Sequence, residues 1–210
     1  QIAEPKALDP AAVTAVNDFR ILMNVYDGLV RYKDGTLEVE PSLATSWDIS
    51  EDGKTIEFTI RPGMTFHSGN PVTAEDVVYS LRRVVKLGKT PSFIITQFGW
   101  TPENVDELVV VDGDKAKITI TEEFSPALVL NALSAGIASI VDMKEVMAHE
   151  VDGDMGYEWL KSNSAGSGPF SLKTWKANEL VSLEANPDYR HGAPAMKRVI
   201  IRHIAEPSAQ

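Results

Sequence analysis

The stretch FTIRPGMTFHSGNPVTAEDVVYSLRRV, residues 58–84, constrains the fold more than any other part of the chain. It alternates apolar and polar residues, breaks at Pro62-Gly63, breaks again at Ser68-Gly69-Asn70-Pro71, and then opens a helix. Proline presets φ and glycine supplies positive φ, so Pro62-Gly63 predicts a type II turn. Thr73 and Asp76 have the spacing of a capping box, with Val77, Leu81, Val84 and Val85 on the face that follows. A strand, a rigid corner and a helix are thus specified in sequence. Phe66 is expected to anchor the corner from inside. His67 is expected outside, structural or solvated, so that alanine there would leave any ligand affinity unchanged.

Around this corner the signals are those of an α+β chain. LDPAAVTAVNDFRILMNVYDGLVRY reads as an extended lead and a helix, with Asn17 or Asp18 able to cap it. Ile56, Phe58 and Ile60 alternate after an Asp52-Gly53 turn, and two β-branched runs flank Asp112-Gly113, so two hairpins are expected. Ser125 followed by Pro126 starts another helix, since proline loses nothing at the first helical position. Short helices are expected at DMKEVMAHE and YEWLKSN. After the glycine-rich break SAGSGPF the strand period returns over Phe170–Trp175, Leu180–Glu184 and Arg198–Ile204. There is neither a βαβ alternation nor an internal repeat.

Composition removes whole classes of function. The 210 residues suffice for one large domain or two small ones, and 43% hydrophobic with 24% charged is a globular balance. Thirty acids against 20 bases leave a formal charge of −10, which argues against nucleic acid and anionic lipid as partners. With no cysteine, disulfides, thiolate catalysis and cysteine-held metals are excluded. No apolar run approaches the roughly 20 residues of a membrane span. The chain starts at Gln1 without a basic-then-apolar leader, which predicts a processed chain or an excised segment.

From Ser42, SLATSWDISEDGKTIEFTIRPGMTFHSGNPVTAEDVVYSL resembles the hallmark of the family 5 periplasmic solute-binding proteins, the dipeptide- and oligopeptide-binding components of ABC importers. The resemblance lies in Leu43-Ala44-x-x-Trp47, in Asp52-Gly53 with Phe58, Arg61 and Gly63, in Phe66-His67-x-Gly69, and in Thr73-Ala74-Glu75-Asp76-Val77. NVYDGLVRY and GSGPFSLKTWKANELVSLEANPDYRHGAP resemble the family's first helix and its return into the first domain. The resemblance implies one lobe of a type II periplasmic binding protein, with mixed sheets, flanking helices and the inserted small domain of the peptide-binding subgroup. It implies a hinge-side domain of residues 1–41 and 166–210 and an inserted domain of 42–165, with the chain ending where it would cross to a second lobe. The implied ligand is a small peptide or other small solute; opines, nickel complexes, haem and oligosaccharides are the alternatives. The implied partner is a membrane permease, the compartment the periplasm, and the full-length protein a monomer.

No catalytic constellation can be assembled. Ser164–Gly168 lacks the spacing of a nucleophile elbow or a phosphate loop, and reads as a crossover between domains. The acids of EVDGDMGYE carry Met155 where a calcium loop needs glycine, and the four histidines fall at no metal-ligand spacing. No metal or other cofactor is expected. By resemblance, Asn17, Asp18 and Phe19 lie at the cleft, Phe98 and Trp100 supply an aromatic wall, and Ala135-Gly136 lets a ligand approach the backbone. Phe98-Gly99-Trp100-Thr101-Pro102 reads as a loop, which favours exposure of both rings.

Overall fold

The computed structural model describes residues 7–203. The expected strand end at Ile204 and the outermost parts of the expected domains, residues 1–6 and 204–210, lie outside the described residues. The elements run α1 (Val16–Val25), β1 (Val30–Tyr32), β2 (Val39–Pro41), β3 (Ala44–Ile49), β4 (Thr55–Ile60) and α2 (Ala74–Leu87). Next come α3 (Phe93–Thr96), α4 (Val105–Leu108), β5 (Val109–Asp112), β6 (Lys115–Thr119), α5 (Pro126–Leu133), α6 (Met143–Ala148) and α7 (Tyr157–Leu160). The last strands are β7 (Phe170–Lys176), β8 (Leu180–Ala185) and β9 (Arg198–Arg202).

The strands form a β1-β2 ribbon, a four-stranded sheet in the order β3-β4-β6-β5, and a three-stranded sheet β7-β8-β9. Among the described residues every strand pair is antiparallel, so the mixed pairing expected above is replaced by antiparallel sheets. Residues 7–41 add no strand to the β7-β8-β9 sheet; α1 packs on it instead, through Ile21, Leu22 and Val25 against Phe170, Val181 and Leu183. One core runs from Leu29 to Ile140, with Ala11 added. The other joins Leu8–Tyr26 to Val141–Leu183.

Local chemistry accounts for most boundaries. Thr73 and Asp76 exchange both bonds of the capping box that starts α2. Ser125 caps α5 with Pro126 at its first position. Gly63 lies at φ +75°, the conformation its turn position demands. The β5–β6 turn falls on Gly113-Asp114, one residue beyond the expected dipeptide, because Asp112 already pairs with Lys115. At α1 the extended residue is Ala15, and no side chain caps it. Asn17 and Asp18 therefore lie inside the first turn, where an acid still faces the positive end of the helix.

The corner corrects the expectation for His67. Phe66 is buried as expected. His67 is not left outside: its backbone N–H donates to the Gly166 carbonyl and its ring Nε2 lies 2.9 Å from the Gly168 carbonyl. Ser68 Oγ and Asn70 Nδ2 both donate to Asp142, fastening the corner to the start of α6. A second fastening is the pair Asp9–Arg83, whose guanidinium donates at 2.8 and 2.6 Å to the two carboxylate oxygens. Their side chains are 0% and 2% exposed, so the pair is dry, and Arg83 Nε is taken by the Met155 carbonyl. No helix of the described residues is long and apolar enough to cross a membrane.

Candidate ligand-binding cleft

An open cleft of about 790 Å³ lies where the two cores meet. One end is apolar: Phe19, Leu22 and Met23 project from α1, with Ala135 and Gly136 beside them. A Cβ at Gly136 would come within 3.1 Å of the Phe19 ring, so the bare backbone there is what lets the ring approach so closely. Met23 at this end is 69% exposed. The other end is polar, formed by Asp27, Arg31 and Tyr32 from the chain leaving α1, and by Tyr189 and His191.

Asp27 sits on the floor of this end. Ser167 Oγ donates to its Oδ2 at 3.1 Å, Tyr189 hydroxyl donates to Oδ1 at 3.3 Å, and Arg190 Nη2 stands 3.5 Å from Oδ1. Arg190 Nη2 also reaches Ser42 Oγ at 3.1 Å. Although the Arg190 side chain is only 6% exposed, its buried Nε has no partner among the described residues, and neither has Nε of Arg31. Arg31 is engaged on its other side by Glu40. Burial, with the Asp27 charge beside it, raises the Tyr189 pKa above the usual phenol range. Burial, with Arg190 and Arg31 nearby, lowers that of His191.

The floor is closed by the glycine-rich crossover. A Cβ on Gly166 would stand 2.0 Å from the Val25 carbonyl oxygen, and one on Gly168 would stand 2.7 Å from the Val25 carbonyl carbon. Gly168 N–H instead donates to that oxygen. Close approach to the end of α1, rather than a turn, explains these two glycines.

The sequence-derived site residues separate. Phe19, Ala135 and Gly136 line the cleft. Asn17 is half-buried and Asp18 buried, and neither belongs to its lining. Phe98 and Trp100 are a correction: they are 0% and 1% exposed and lie in the core of the four-stranded sheet. Their rings meet edge-on at 5.9 Å, Phe124 meets Phe98 in the same way at 5.4 Å, and Trp100 Nε1 donates to the Thr119 carbonyl. Two four-residue helices, α3 and α4, turn this segment inward, and helices so short leave no apolar period to read. Asp27, Arg31, Tyr189, Arg190 and His191 were missed as a group. Their only sequence signal is that YDGLVRY and NPDYRHG both belong to the resemblance quoted above.

With two hydrophobic cores and an open cleft where they meet, the chain has the fold of a lobe of a type II periplasmic binding protein, as its likeness to solved structures shows. The Helicobacter pylori ABC transporter-associated periplasmic binding protein DppA, solved in complex with the peptide STSA, superposes with a TM-score of 0.80 at 29% identity. That match covers 99% of this chain and 42% of DppA. Residues 38–210 match the family of bacterial extracellular solute-binding proteins, family 5 Middle, and the chain belongs to that family. It is 34% identical over 212 residues to the probable D,D-dipeptide-binding periplasmic protein DdpA of Escherichia coli, covering 99% of this chain and 39% of DdpA. Heme-binding protein A of Haemophilus influenzae is 28% identical, over 96% of this chain and 39% of its own length. The chain thus spans about two fifths of the length of these relatives.

Proposed function

We propose that this chain supplies one lobe of a periplasmic binding protein, which captures a peptide or peptide-like solute against the cleft and delivers it to the membrane permease of an ABC importer. The observation that carries the reading is the cleft's two-ended chemistry: the half-buried Phe19 and the exposed Met23 of α1 border open space beside a polar end formed by Asp27, Arg31, Tyr189 and His191. Such a surface suits a small solute bearing both apolar and polar groups. The peptide named in the DppA complex and the D,D-dipeptide named for DdpA favour peptides within that class. Phe19, Ala135 and Gly136 are the proposed contacts, with Asn17 and Asp18 setting the first turn from which Phe19 projects. The two cores support a division into a hinge-side domain of 1–41 with 166–210 and an inserted domain of 42–165. Ala11, Leu29 and Val30 cross that division in one direction, and Val141, Val146, Leu160 and Ala165 cross it in the other.

The test is calorimetry with L- and D-configured di- and tripeptides, on this chain alone and on the chain joined to a second lobe. A closed cleft draws contacts from both walls, so micromolar affinity in the joined protein, about −8 kcal/mol, should fall to roughly millimolar in the chain alone. Turnover of a peptide, or equal affinity of the two proteins, would overturn the reading.

A further inference from the structure

We propose that His67 is a positioning residue of the cleft, bracing its floor through the Gly166–Gly168 crossover, and that a second proton on the imidazole, at the buried Nδ1, strains that brace. The inference rests on the cleft reading above for its consequence, although not for its test. His67 grips the crossover on both sides of Ser167: its N–H donates to the Gly166 carbonyl, and its Nε2 reaches the Gly168 carbonyl, each at 2.9 Å. Ser167, between the two grips and buried, donates to Asp27 on the cleft floor. On the opposite side the crossover has no slack, because Gly166 and Gly168 lie against the Val25 carbonyl. Ser167, and with it Asp27, is therefore placed by a wedge between α1 and the corner.

The ring has a single tautomer that fits. A carbonyl oxygen only accepts, so Nε2 carries the proton and Nδ1 is left as an acceptor. Nδ1 is buried and has no partner among the described residues. A second proton there would place a charged N–H where nothing accepts it. Three carboxylates bear on the outcome. Asp27 draws the ring toward charge but is shared with Arg190, Asp188 lines the same small cavity of about 190 Å³ as His67, and Asp142 is occupied by Ser68 and Asn70. Burial outweighs the Gly168 carbonyl and Asp27, and holds the ring's pKa below the usual histidine value.

The test needs no ligand. In this chain, nuclear magnetic resonance follows the His67 ring and the backbone amides of Ser167 and Asp27 from pH 7.5 to 5. The expected result is that both amides move with the midpoint of the His67 ring. His67→Gln, which can still donate to Gly168 but cannot titrate, should keep the neutral-pH positions at every pH. His67→Ala should displace them throughout. Amides that ignore the ring's titration, or move equally in His67→Gln, would overturn the brace, and the wild-type titration decides even if a variant fails to fold. If no peptide binds in the calorimetric experiment, only the cleft reading falls.

Discussion

At Trp100 the indole N–H donates to the Thr119 carbonyl at 2.7 Å and the ring is locked edge-on against Phe98. At Asp27 three donors stand at 3.1 to 3.5 Å, and Nε of the nearest guanidinium has no partner among the described residues. Both regions are assembled from distant parts of the chain, yet one is saturated and the other slack. A buried polar atom without a partner costs roughly 1–3 kcal/mol, so a fold tolerates it where something else is gained. The aromatic nest leaves no such atom. At the Asp27 end the contacts are longer and one guanidinium Nε stays without a partner among the described residues.

The largest expected effect tests the saturated side. Trp100→Ala should destabilise this chain by about 3–5 kcal/mol, read from urea unfolding, because it empties a dry site and orphans a carbonyl. A cost below about 1 kcal/mol would put the ring at the surface and dissolve the contrast. Gly168→Ala should cost about 1–3 kcal/mol, since its Cβ meets backbone on the α1 side. An unchanged melting temperature would show that the crossover is not wedged.

Smaller effects probe the slack side. Phe19→Ala should change stability by less than about 1 kcal/mol, because its ring is already half exposed, while peptide affinity of the two-lobed protein falls about tenfold, or 1.4 kcal/mol. The reverse pattern would return Phe19 to the core. The dependence on pH is smaller still. His67 has a folded-state pKa below its usual value of about 6.5, so its contribution to stability is complete above that pH and is lost as pH falls below it. Chemical denaturation at pH 7.5 and 5.5 should show this loss in the wild type and a smaller one in His67→Gln. Equal losses would assign the pH dependence elsewhere.

The contrast also marks what could be read in sequence. The capping box at Thr73, the Ser125-Pro126 helix start and the hairpins are local chemistry, decided by neighbours in the chain, and the structure keeps all of them. Phe19, Ala135 and Gly136 were legible only through the resemblance. Trp100 was misread because a glycine-flanked aromatic looks exposed, and only the packing of α3 and α4 against the sheet turns it inward. The Asp27 floor was invisible for a different reason: its partners Tyr189 and Arg190 lie 162 and 163 residues away, and no spacing rule spans such a distance.

That distance gives the slack contact a place in time. Asp9 and Arg83 are 74 residues apart, so the 163 residues between Asp27 and Arg190 add only about 0.7 kcal/mol of loop-closure entropy. What differs is the reward: the first closure ends in a dry two-point contact, the second in a single long one. The second is therefore expected to form after the folding barrier and to part before it on the way back. Arg190→Met should hasten unfolding while leaving the refolding rate untouched; slowed refolding would place the contact in the nucleus. The polar end of the cleft would then be the last part to be finished and the first to come undone.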